Sequence, residues 1–166
     1  MWEIRPQEIP EGIDPRVFAA LSGAMPSLVQ EVHAQPALPE LREWAEHAVV
    51  PGTTRDCLLA ALWLLEGNLD QAHRLCQDVP TVLGSAWHAV VHRQEGDFWN
   101  SKYWWRRVGS HPVIAELEYG DPFAFVDRCE KARGTGSAAE GECRRLQLAE
   151  WHVLFEYCYR HATAAQ

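Results

Sequence analysis

Residues 87–112 read WHAVVHRQEGDFWNSKYWWRRVGSHP, the densest run of chemically able side chains in the sequence. At ~100° per residue, His88, His92 and Glu95 fall within an arc of roughly 60° on one helix face. Two imidazoles one turn apart, with a carboxylate a further turn along, can share a divalent metal. The carboxylate can equally tune a histidine as a general base. A plain interhelical hydrogen-bond network would use the same three residues with no chemistry attached.

The next helix carries a second signal. Phe98, Ser101, Trp104, Trp105 and Val108 share a side that reads as core, while Trp99, Asn100, Lys102, Tyr103, Arg106 and Arg107 occupy the other. Aromatic faces among forked guanidinium donors suit a small anionic ligand or a peptide carboxylate. The candidate contacts are Asp97, Asn100, Lys102, Tyr103, Arg106 and Arg107. Residues 88–111 hold four cations and two acids, so this stretch is +2 in a chain whose net charge is −8. The competing expectation is that helices cover both sides, burying Trp99 and Tyr103 and pairing the arginines with Glu95, Asp97 or other acids.

The elements that must position these residues show an internal repeat. Glu66-Gly67-Asn68 aligns with Glu95-Gly96-Asp97, 29 residues on. Each copy separates two helical segments, about 54–66 from 68–78 and 82–95 from 97–108. Glycine at the bend suits a left-handed helix end, and Asn68 or Asp97 directly after it can cap the next helix. The pattern predicts two stacked antiparallel helix hairpins and resembles the tetratricopeptide class, with Pro80 and Pro112 where that class often ends its second helix. An irregular helical bundle is the alternative.

Elsewhere, residues 1–13 read as an extended lead-in to a helix opened by Asp14-Pro15, and Leu41, Trp44, Ala45 and Ala48 form the stripe of another short helix. Thr53 or Thr54 is the expected cap of the following one. Asp121-Pro122 repeats the cap-and-proline start, Gly134–Ser137 reads as a loop, and a long last helix runs from about Glu140 to Ala164. No stretch alternates with a period of two. The expectation is one all-α domain over residues 1–166. His152 and Glu156 read as a structural pair, and His33, His47, His73, His111 and His161 support nothing singly.

The run from His88 to Pro112 also resembles a signature of an uncharacterised, mostly bacterial family, HxxxHRxExDxxNxKYW-aromatic-RRVGxHP. Residues Leu62–Gln77 resemble the same family's preceding helix pair. The chain departs from that pattern at Gly96, where proline is common, and at Trp99, where a small residue is common. The resemblance marks the segment and implies no activity.

Composition narrows the classes. An apolar content of 47%, a charged content of 23% and eight tryptophans describe a globular chain. Residues 1–80 hold five cations against twelve acids, so neither a nucleic-acid backbone nor an anionic membrane is an expected partner. No apolar run reaches the ~18–20 residues of a membrane span, no basic-then-apolar leader opens the chain, and five cysteines without a C-x-x-C read as small buried hydrophobes. A cytoplasmic location follows by default. Phosphate-cradling and hydrolase-elbow motifs are absent from the sequence. Three functions remain: a helical module binding a small anionic ligand or a protein partner, an enzyme using the His/Glu/Arg site with or without a divalent metal, and an assembly protein in which the motif fixes packing.

Overall fold

The computed structural model describes residues 39–47 and 50–163. The expected lead-in over residues 1–13 and the helix opened at Asp14 lie outside the described residues. Seven α-helices and one 3₁₀ turn follow: α1 (Pro39–His47), α2 (Gly52–Leu65), α3 (Leu69–Cys76), α4 (Val82–Glu95), α5 (Phe98–Val108), the 3₁₀ turn (Pro112–Glu116), α6 (Pro122–Ala132) and α7 (Ala138–Thr163). No strand occurs among the described residues. The chain is all-α.

The repeat is realised as two helical hairpins, α2–α3 and α4–α5. Gly67 and Gly96 both take positive φ, 73° and 85°, which side-chain-bearing residues rarely adopt. At Gly96 a Cβ would also meet the Arg133 guanidinium. Each glycine is followed by the expected cap: Asn68 accepts from the Gln71 amide at 3.2 Å, and Asp97 from the Asn100 amide at 3.1 Å. Asp121 caps α6 in the same way. One cap differs from expectation. Pro51, not Thr53 or Thr54, precedes the first turn of α2, and no side chain caps it. Proline's fixed φ, −52° here, preorganises the entry, so the helix begins at Gly52.

Helices α2 and α4 form the centre. Residues 84–94 of α4 are all buried, as are most of Cys57–Leu65 in α2. Consecutive helices pack on one another, and α7 crosses behind α2, α4 and α6. Trp151 of α7 donates its indole N–H to the Ala61 carbonyl at 2.8 Å, fixing α7 on α2. All five cysteines are buried and unbridged, behaving as small apolar residues.

The most expensive group inside is Arg93. Its side chain and that of Glu150 are 1% and 0% exposed, and they form a two-pronged ion pair. Gln147 accepts from Arg93 Nε at 3.2 Å, Tyr119 donates to Glu150 Oε1 at 2.5 Å, and Phe125 lies under the guanidinium at 4.8 Å. Burial opposes the charge on Arg93, but the Glu150 carboxylate outweighs it and holds the guanidinium protonated. Removing one partner strands the other in a dry interior. Arg93→Ala or Glu150→Ala is therefore expected to cost about 3–5 kcal/mol in denaturant unfolding. An Arg93→Met, Glu150→Leu double variant should cost less than the two single changes summed.

Burial also holds the His152 imidazole near 4, below its usual 6.5. Its folded state favours the neutral ring, so this contribution is complete above pH 6.5 and is lost as pH falls toward 4. Melting temperature should decline across that window, by the equivalent of up to about 3 kcal/mol. His152→Gln should lessen the decline, part of which remains because burial lowers His88 over the same window.

Candidate functional site

The turn between α3 and α4 folds the two helices together, and this brings a third histidine to the pair read from sequence. His73 on α3 sits with Nε2 2.9 Å from His88 Nε2, and its Nδ1 is 2.8 Å from Glu95 Oε1. The other carboxylate oxygen, Glu95 Oε2, lies 3.2 Å from His92 Nδ1, without the alignment of a full hydrogen bond. His88 and His92 stack at 4.6 Å between centroids, and His73 meets both rings edge-on at 4.7 and 4.9 Å. One ring nitrogen from each of the three histidines lies within 4.8 Å of the other two.

The set read from sequence, His88, His92 and Glu95, is brought together, and His73 joins it: the three ring nitrogens within 4.8 Å of one another belong to His73, His88 and His92. Glu95 turns both oxygens toward imidazole Nδ1 atoms, so the third ring nitrogen of the cluster comes from His73. Burial alone would raise the Glu95 carboxyl, but the His92 and His73 rings beside it hold it below its usual value. His88 is pushed down to about 4, first by burial and then by His92 and His73 next to it, so it is neutral at pH 7. Among the described residues its buried Nδ1 meets no hydrogen-bond partner.

His73 looked uninformative alone, yet a signal for it existed. If α3 and α4 fold back on each other about Pro80–Thr81, residues equally far from that point face one another. Reflecting His88 across it lands on His73.

The second group is divided by the structure. Asp97 and Asn100 are joined to each other, Nδ2 to Oδ2 at 2.6 Å, in the cap of α5. Lys102 forms an ion pair with Asp127 of α6. Trp99, Tyr103, Arg106 and Arg107 remain at the surface. Trp99 is 69% exposed and Tyr103 39%, stacked at 6.2 Å, so the expectation of aromatics covered on both sides is not met. Arg106 lies over Phe123 at 5.9 Å and Arg107 over Trp104 at 5.3 Å. Among the described residues neither guanidinium has a carboxylate within 4 Å.

Beside Arg107 is a cavity of about 550 Å³, bounded by the α3–α4 connection and the end of α5. Asp78, Val79, Pro80, Ser85, Trp104 and Arg107 are among its walls. Trp104, which the cavity reaches, also packs on His88 with centroids 4.1 Å apart. The histidine cluster and the cavity thus share one indole.

Comparisons with protein-family models, curated proteins and solved structures find no match, and the chemistry of these sites is therefore read from their geometry. No helix among the described residues is long and apolar enough to cross a membrane.

The Lys102–Asp127 pair is half in solvent, where such pairs contribute little. Lys102→Met should change unfolding free energy by less than about 1 kcal/mol.

Proposed function

We propose that this protein is a helical binding module that seats a small carboxylate-bearing ligand in the cavity between the α3–α4 connection and α5. The observation that carries the reading is Arg107: a guanidinium held over Trp104, lining a 550 Å³ cavity, with no carboxylate within 4 Å among the described residues. An arginine presents forked donors that match a carboxylate, and the indole supplies a flat apolar wall for the body of the ligand.

The local structure supports a preformed wall. Thr81 caps α4 by accepting from the Gly84 amide at 3.0 Å, and Ser85 donates to the Thr81 carbonyl at 3.1 Å. Gly84 lets Val79 press onto this turn, since a Cβ there would come within 2.6 Å of the Val79 carbonyl oxygen. A single methyl group at position 84 would push the wall away.

Asp78 lines the same cavity and sets a second condition. It repels a bare dianion and accommodates a ligand that carries an ammonium group beside its carboxylate. An amino acid or the end of a peptide has that chemistry.

Leucine, N-acetyl-leucine and leucinamide separate the requirements in a calorimetric titration. Leucine should bind saturably, and each derivative more weakly, because one of its charges is missing. Arg107→Ala should weaken leucine binding about 10–100-fold, the loss of a charge-assisted contact of ~1.5–3 kcal/mol. Absence of a saturable response to all three probes, or unchanged binding in Arg107→Ala, would overturn the reading.

A further inference from the structure

We infer that His73, His88 and His92 form a binding site for a divalent first-row transition metal, zinc foremost, with Glu95 as the outer carboxylate that orients the rings. The inference is independent of the ligand cavity.

Its first support is the arrangement of ring nitrogens. A carboxylate facing Nδ1 fixes the proton there and leaves Nε2 with its lone pair, which is how metal-bound histidines are commonly held. Glu95 does this for His73 at 2.8 Å and faces the same atom of His92 at 3.2 Å. The Nε2 atoms of His73 and His88 then meet head to head at 2.9 Å. Two imidazole nitrogens on a tetrahedral zinc, with bonds of ~2.0–2.1 Å, stand about 3.3 Å apart. The observed pair is a few tenths of an ångström too close. The wider edge of the triangle, up to 4.8 Å, must close instead. His73 is the partly exposed member and has room to turn, whereas α4 holds the other two one helical turn apart.

The second support is charge. Glu95 and Asp97, whose Oδ2 is 3.8 Å from His92 Nδ1, place two carboxylates beside three imidazoles. Among the described residues neither carboxylate is in an ion pair with a lysine or arginine, although the Arg133 guanidinium packs against Gly96 between them. Imidazole ligands must be neutral to bind a metal, so the nearby carboxylates supply the negative charge that a dication needs. Three imidazoles select zinc, copper, nickel or iron over the oxygen-seeking calcium and magnesium.

The third is coordination number. Among the described residues no fourth side chain joins the three nitrogens, and a three-ligand set is the kind that keeps a position for water or substrate.

The test uses the full chain, prepared without a histidine tag or nickel column, stripped with a chelator and titrated with cobalt(II). One equivalent should bind and give the intense visible bands of tetrahedral cobalt, and zinc should displace it. Glu95→Gln should keep the stoichiometry and weaken affinity about 10–100-fold. His73→Gln, at a partly exposed position, should weaken it further while leaving the melting temperature of the apoprotein within a few degrees of wild type. That comparison separates lost metal from lost fold. Absence of tetrahedral cobalt bands in the wild type would overturn the inference. So would a His73→Gln variant that binds as tightly as wild type, which would exclude the third ring.

Discussion

The buried pair of Arg93 and Glu150 constrains everything else in this fold. A charged guanidinium enters a dry interior only where its donors are met, and here α7 meets them with Glu150 and Gln147. Because a bidentate pair is directional, it fixes the rotation of α4 about its own axis. Arg93 points away from the face that carries His88, His92 and Glu95, by roughly 140° from His88. With Arg93 locked toward α7, those three residues are aimed at α3. A one-residue slip would bury a histidine against α7 and strand a carboxylate, so the pair acts as a register lock for the histidine cluster.

Much of the architecture was legible in the sequence because it depends on local chemistry. Glycine at a left-handed bend followed by Asn68 or Asp97 is a choice made within four residues, and the structure realises it at both copies of the repeat. Asp121-Pro122 behaves likewise. The helix faces were less legible. Helices α2 and α4 are buried almost all round, and a helix apolar on every side has no stripe to read. Trp99 and Tyr103 show the converse: helix periodicity placed them opposite the core, and only tertiary structure decides that they stay exposed, at 69% and 39%.

Contacts between helices distant in sequence were not legible. Arg93 is one of four cations between residues 88 and 111, and its partner is 57 residues away. His73 reads as an ordinary helix residue until α3 is folded onto α4. In the sequence Glu95 reads as a third ligand beside His88 and His92; folding α3 onto α4 brings a second Nδ1, that of His73, to its other oxygen.

Trp104 joins the histidine cluster to the cavity. Its indole packs on His88 at 4.1 Å and also lines the cavity beneath Arg107. A ring in contact with both cannot shift for one occupant without altering the seat of the other. A metal that reset the His73–His88 contact would change what Trp104 rests on, and a ligand that clamped Trp104 would limit how far His88 could adjust. Linkage makes any such effect reciprocal: whatever factor the metal applies to ligand affinity, the ligand applies to metal affinity. The rigid surroundings favour transmission over local absorption, since α4 is locked by Arg93 on one side and the cavity wall is pinned by Gly84 on the other.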